Sequence, residues 1–396
     1  MSTMGAVEQI KPDGLLRECE DDPARVDAYL PCEDKETHAS FLLTLNNGDL
    51  VCAWFAGSEE GKPDVSIYFS RLSKGSDRWE GEVKLSDDPE RSEQNPVLFE
   101  TPNGELWLLY TAQLYHGQDT SIVRRRISRD QGATWDPVEL LFDEPGIFIR
   151  QPMVVLDNGT WLLPVFHCRP IPGERWHGHN DVSAVKLSSD RGKTWKEYEV
   201  PNSVGAVHMN VLDRGNGRLL AFYRSRYADH ILRSVSTDFG QSWTAPSATA
   251  QPNNNSSIQV SALSDGALVL VFNSVNAAAF ADRRYARENL RTDGGQAAQI
   301  RRAVWGVPRT PLSIALSYDD GVTWPEQRDI QVGDSAPLKD PDSKAERHGR
   351  ELSYPTVTEG PEGTINVAFT FFRRAIKFVR FPRKWVSSGN SVASSS

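Results

Sequence analysis

Sulfur is scarce in this chain: four cysteines and four methionines in 396 residues. Cys19, Cys32, Cys52 and Cys168 fall at no spacing that suits a zinc site or a CxxC redox pair, and a chain of this length needs no disulfide framework. Long hydrophobic runs are also missing, and nothing approaches the about 18 apolar residues of a membrane-spanning helix. No membrane partner is therefore expected. The opening stretch, MSTMGAVEQIKPDG, lacks the apolar centre of a secretory signal. A cytoplasmic location is expected, or secretion if a leader has been removed. Basic residues are outnumbered, 44 against 53 acidic ones, and form no stripe, so the net charge of −9 argues against nucleic acid as a partner. An anionic small substrate stays possible, because a few local arginines outweigh a global charge. Phosphate-cradling glycine loops, dinucleotide fingerprints, a Ser-His-Asp hydrolase elbow and long amphipathic helical periods are all absent. Neither a cofactor nor a metal is expected. His177 and His179 with nearby Asp181 are the nearest approach to a cation site, and a pair of histidines in a polar loop is weak ground for one.

What the chain does have is an internal repeat. The octamer Ser-x-Asp-x-Gly-x-Thr/Ser-Trp occurs as Ser128-Asp130-Gly132-Thr134-Trp135 and as Ser188-Asp190-Gly192-Thr194-Trp195. It returns as Ser236-Asp238-Gly240-Ser242-Trp243 and as Ser317-Asp319-Gly321-Thr323-Trp324. A degenerate copy, Ser73 to Trp79, keeps the tryptophan. The aspartate side chain can bond local backbone N–H groups and fix a turn, the glycine permits positive φ, and the tryptophan is a large apolar plug. The motif is therefore a hairpin device, not a catalytic one.

Alternating or continuous apolar runs joined by Asn-Gly, Asp-Gly or similar turns accompany the octamers: FLLTLNNGDLVCAWF, PVLFETPNGELWLLYT, PMVVLDNGTWLLPVF, MNVLDRGNGRLLAFYRS, VSALSDGALVLVFNS and PTVTEGPEGTINVAFTFF. These are strong hairpin signals. Each unit reads as two strands, a turn, a third strand, the octamer and a fourth strand. The expected fold is all-β, a six-bladed β-propeller of four-stranded antiparallel blades carrying Asp-box turns. Unit six has AIKFVRF as its third strand and no octamer, so the ring is expected to close with an N-terminal strand near Leu15 to Glu20. The domain plan is a flexible N-terminus over 1–14, a single propeller over 15–382, and a disordered tail over 383–396. An alanine- and arginine-rich insert at about 276–308 interrupts unit five and reads as a short helix in a binding loop. A second irregular stretch spans about 333–350.

First strands of propeller blades line the central channel, and residues at their opening ends converge on one pocket. Those positions are His38, Gln94 with Asn95, Arg150 with Gln151, His208 with Asn210, Gln259 and Tyr354. Ends of second strands add Glu59, Glu60, Asp64, His167 and Arg224, and Arg309 opens the third strand of unit five.

The octamers, together with the stretch from Arg309 reading RTPLSIALSYDDGVTWP, resemble sialidases (neuraminidases), in particular their divergent "predicted neuraminidase" branch, over roughly residues 35–375. Sialidases are exo-glycosidases that hold a substrate carboxylate with three arginines, attack with a tyrosine paired with a glutamate, and use an aspartate as acid/base. The resemblance implies Arg224 in AFYRS as the second arginine, Arg309 as the third, and Tyr354 in LSYPT as the nucleophile. The first arginine's place reads His38-Ala39-Ser40, and His208 in AVHMN takes the place of the glutamate. For the acid/base, Glu60 and Asp64 in GSEEGKPDVSIYFSR are the nearest candidates.

The residue types agree with that chemistry. Arginines suit bidentate recognition of a planar carboxylate, with Arg150 as a candidate third contact. A tyrosine, with a free pKa of about 10, needs neighbouring positive charge to favour its phenolate. His208 is a candidate proton partner for it, and His38 a candidate carboxylate holder or acid/base. Asn95, Gln151, Gln259 and His167 complete the candidate substrate contacts. Four functions stay open. One is an exo-glycosidase on an acidic sugar or glycan, with Tyr354 as nucleophile. The second is a uronic-acid lyase that uses histidine and tyrosine as acid and base with arginine clamps. The third is a non-glycan intracellular isomerase or cyclase, and the fourth a glycan-binding propeller without turnover.

Overall fold

The computed structural model describes residues 10–32, 36–115, 117–280, 301–333 and 351–388. Six antiparallel sheets follow one another around a ring, as the repeat requires. Blade one runs Glu36–Thr44, Leu50–Gly57, Ser66–Leu72, Val83–Lys84 from the axis outward, and blade two begins with Ser92–Glu100 and Leu106–Gln113. The second strands show why the sheets stack. Leu50–Gly57 (LVCAWFAG) and Leu106–Gln113 (LWLLYTAQ) are buried at every position, since both of their faces meet a neighbouring blade. Outermost strands such as Val83–Lys84 and Ser247–Pro252 are exposed or half-buried.

The octamers form the turns before the fourth strands. In blade three, Asp190 Oδ1 accepts from the Thr194 backbone N–H at 2.9 Å, and Ser188 Oγ accepts from the Gly192 N–H at 2.8 Å. Gly192 has φ +80°, and a Cβ there would lie 2.6 Å from the Trp107 ring of blade two. The same contact recurs where Gly321 of blade five meets Phe222 of blade four. The octamer thus closes a hairpin and also seats blades two to five on the blade before each. Blade one's degenerate copy is used differently: the Trp79 backbone N–H donates to the Gly14 carbonyl at 2.9 Å and holds the N-terminal segment.

Three expectations are corrected. The strand that closes the ring is Asp22–Tyr29, paired with Ala375–Pro382 of blade six; Arg17–Cys19, near the expected 15–20 strand, is a fifth strand outside it. A bulge and turn between Glu18 and Asp22 fold one N-terminal run into both. The disordered tail does not start at 383: Lys384–Ser387 is one helical turn whose Trp385 is buried, stacks on Phe381 at 4.3 Å and donates to Asp22 at 2.6 Å. Arg309 precedes the third strand of blade five, Leu312–Ser317, instead of opening it. The helix expected in the insert falls mainly on 281–300, outside the described residues, as do 1–9 of the N-terminus, 334–350 and 389–396.

Candidate functional site

Four of the six axial strands carry the same local irregularity. In Glu36–Thr44, Ser92–Glu100, Ala206–Asp213 and Leu352–Glu359 the ladder gains one residue relative to the second strand, a β-bulge. The bulge residues Ala39, Asn95, His208 and Tyr354 all have positive φ, between 50° and 56°. Such a conformation costs a non-glycine residue on the order of 1–3 kcal/mol, and it is repeated where side chains must turn toward one end of the channel. Asn95, His208 and Tyr354 accordingly share the wall of one cavity of about 230 Å³.

Tyr354 is 9% exposed, and its hydroxyl accepts from Arg224 Nη1 at 2.7 Å. Arg224 Nε is held by Asn255 Oδ1 at 2.8 Å. Arg309 stands on another side, its guanidinium carbon 5.4 Å from the Tyr354 ring centroid and its Nη1 3.0 Å from Glu351. Burial would push the Tyr354 phenol up, but Arg224 and Arg309 outweigh it and hold it below the usual tyrosine range. His208 also lines the cavity; its ring centroid is 5.8 Å from that of Tyr354, and its Nδ1 is 3.1 Å from Ser257 Oγ. Burial first, then Arg224 and Arg226, push its pKa well below the ordinary value, so His208 is neutral at pH 7.

Two candidates for the acid/base are separated by the structure. Glu60 lines the cavity, and its Oε2 lies 2.6 Å from Arg373 Nη1. Asp64 instead ties its own loop, accepting from the Ser58 N–H at 2.9 Å and the Ser58 hydroxyl at 3.1 Å, and is not on the wall. Other expectations are corrected as well. His38 is one residue short of the bulge, so it points behind Tyr354, ring centroids 4.2 Å apart, with Nδ1 2.9 Å from Thr370 Oγ1. It is fully buried, off the cavity wall, and held neutral by burial and by Arg373 and Arg309. Arg150 is buried beneath Tyr354 and offers no contact to the cavity. Gln151 and Gln259 join blades: Gln151 donates to the Ile258 carbonyl at 2.6 Å, and Gln259 accepts from the Val357 N–H at 2.5 Å. His167 pairs with Glu197 at 2.9 Å on blade three, away from the wall. Glu144 joins that pair in a metal-like grouping, but the Lys186 ammonium, 3.0 Å from Glu144 and 2.8 Å from Glu197, already pairs with both carboxylates. His179 and Asp181 serve packing: His179 Nδ1 accepts from the Ala303 N–H at 3.0 Å, and Asp181 holds Arg226 at 2.7 Å.

Sequence reasoning missed Gln118 and Phe148 on the wall, and four charged or aromatic residues that shape the site. Arg373 lies at the turn before Ala375–Pro382, and its backbone carbonyl accepts from the Thr37 N–H at 3.0 Å, beside the strand where the first arginine was sought. Glu351 holds both Arg373 Nε (2.7 Å) and Arg309 Nη1 (3.0 Å). Arg226 is two positions after Arg224 in the same YRSRY run. Trp305, in the described end of the insert, reaches the wall because Val304 is anchored to Arg226 and Asn255. Glu351 and Arg226 were legible as charges flanking motif residues; Arg373 and Trp305 had no local signal.

A six-bladed ring with Asp-box turns and an arginine-walled cavity at the bulged ends of its axial strands defines a sialidase-like propeller. Residues 48–367 match the BNR repeat-like domain family, and the chain belongs to it. No curated protein matches the sequence. Among solved structures the chain is similar to the Hadza microbial sialidase Hz136, with a TM-score of 0.67, 15% identity, and coverage of 89% of this chain and 66% of that one. It is also similar to a protein of unknown function from Dyadobacter fermentans (0.66, 14%, 93% and 99%). A third is the leech intramolecular trans-sialidase complexed with 2,7-anhydro-Neu5Ac (0.63, 12%, 89% and 69%). The chain thus spans about two thirds of the length of both named sialidases. At these identities the likeness is one of fold.

Proposed function

We propose that this chain is an exo-acting glycosidase for a sugar that carries a carboxylate, with Tyr354 as nucleophile. The observation that carries this reading is the Tyr354 hydroxyl held 2.7 Å from Arg224 in a cavity walled also by Arg309 and Arg373. Three guanidinium groups offer bidentate donors to a planar carboxylate. Arg224 bonds Asn255 and Tyr354 but no carboxylate, so it is the anchor most ready for an incoming one. The fold shared with sialidases supports the same substrate class.

The steps follow from the positions. Tyr354, as the phenolate, attacks the anomeric carbon through Oη, the bond from that carbon to the leaving oxygen breaks, and Glu60, protonated from solvent, gives its proton to that oxygen. Water then attacks the same carbon, Glu60 takes the water's proton, and Tyr354 leaves. Glu60 starts out bound to Arg373. A substrate carboxylate that engages Arg373 competes with that pair and frees Glu60 to take up the proton it must donate. His208, kept neutral, orients substrate by hydrogen bonding and does not carry charge.

One observation favours a second reading, a uronic-acid lyase. A neutral imidazole on the wall beside Tyr354 is suited to accept a proton from a carbon next to a neutralised carboxylate. Incubation with a panel of sialosides and uronic-acid glycans, with products read by mass, separates the two. A product that gains water supports the glycosidase; an unsaturated product without added water supports the lyase.

A further inference from the structure

Arg150 takes no part in the cavity, yet it is a buried charge with little to answer it. It sits in the interruption between Ile147–Phe148 and Val154–Val155, the split axial strand of blade three, and is 2% exposed. Its Nη2 donates to the Ser40 carbonyl at 2.9 Å and to the Tyr354 carbonyl at 3.2 Å. Its Nε and Nη1 have no partner, and no carboxylate among the described residues pairs with it. An unpaired buried guanidinium is costly unless something nearby answers its charge. Among the described residues the one aromatic ring it faces is that of Tyr354, with its guanidinium carbon 5.3 Å from the centroid.

The surrounding charges point the same way. Among the described residues, Arg150, Arg224, Arg226, Arg309 and Arg373 are five cations around Tyr354, and Glu36, Glu60, Glu351 and Asp181 are four carboxylates that pair with members of this group, an excess of one positive charge within that set. His38 and His208, the imidazoles that pack on the ring, are neutral. A phenolate at Tyr354 closes the balance.

We propose that Arg150 is a positioning residue for Tyr354: from the buried side it clamps the main chain of the bulge, and it carries the positive charge that balances a Tyr354 phenolate. The cavity side of the ring belongs to Arg224, which must also serve the substrate. Arg150 keeps the phenolate balanced while Arg224 and Arg309 are engaged by a substrate carboxylate. The inference rests on Tyr354 being the reacting group, but its test needs no substrate.

The test is a pH titration of the ultraviolet phenolate signal in the wild-type protein, in Tyr354→Phe, and in Arg150→Lys, Arg150→Gln and Arg150→Met. The wild-type signal minus that of Tyr354→Phe should show one phenolate forming below the about 10 of free tyrosine. In Arg150→Met and Arg150→Gln it should form about one pH unit later, a roughly tenfold smaller phenolate fraction at a given pH, and Arg150→Lys should stay close to wild type. Glutamine can still donate to the Ser40 and Tyr354 carbonyls, so a merely structural role makes it behave like lysine, whereas a charge role makes it behave like methionine. If Arg150→Met does not fold, the glutamine and lysine pair decides. Titrations of Arg150→Gln and wild type that coincide overturn the proposal, as does a wild-type protein with no phenolate below about 10. Absence of turnover on every glycan would defeat the glycosidase reading alone and leave this titration unaffected.

Discussion

Glu60 and Asp64 sit in the same GSEEGKPD loop, and nothing local in the sequence ranks one carboxylate above the other. The fold does: Glu60 meets Arg373 on the cavity wall, while Asp64 caps Ser58. Glu60→Gln should therefore lower kcat by about 10²–10⁴-fold, the usual range for a general acid/base, while Asp64→Asn leaves kcat near wild type. Steady-state kinetics on the glycan that is turned over checks both, and the reverse order would move the acid to Asp64. The same lesson applies to His38. Counted from the sequence it stands level with His208 and Tyr354, but the bulge residue of its strand is Ala39. One residue of register turns a side chain to the opposite face of a strand, which is why the imidazole lies behind Tyr354 and not beside a ligand.

At the scale of the element, the repeat was readable because it is local. Octamer and Asn-Gly or Asp-Gly turns lie within a few residues of the strands they join, so the six blades could be counted from the chain alone. Tyr354, Arg224 and Arg309 were legible on the cavity wall for the same reason, each attached to a motif, whereas Glu60 was legible only as one of two carboxylates in its loop. Arg373 and Trp305 were not, because their roles arise from approaches between segments distant in sequence, such as Val304 against Arg226. The octamers themselves should be separable from chemistry. Ser188 is buried, and its hydroxyl both accepts from the Gly192 N–H and donates to Asp190. Ser188→Ala leaves that N–H unsatisfied and should cost roughly 1–3 kcal/mol of stability in denaturant unfolding, with ligand affinity unchanged. An affinity loss with wild-type stability would place the turn in the binding machinery.

For the whole molecule, a net charge of −9 surrounds a cavity walled by arginines. The contrast localises attraction for anions at one end of the channel. Burying two imidazoles there also ties stability to pH. His38 and His208 have folded-state pKa values well below 6.5, so the unfolded chain binds protons that the folded one refuses. Their contribution is present above the unfolded value and is lost as pH falls. The unfolding free energy should decline below pH 6.5, at up to about 1.4 kcal/mol per pH unit for each histidine. His38→Gln should make that decline shallower, and an unchanged slope would show that His38 accepts a proton in the fold.

The central claim, that Tyr354 opens a glycosidic bond on a carboxylate-bearing sugar, meets its most direct test in the mass of the products. Purified protein and its Tyr354→Phe variant are incubated with the sialoside and uronic-acid panel. The claim predicts a released sugar heavier by one water than its glycosyl residue in the substrate, formed by the wild type and lost in the variant. An unsaturated product, or hydrolysis that survives Tyr354→Phe, would contradict it.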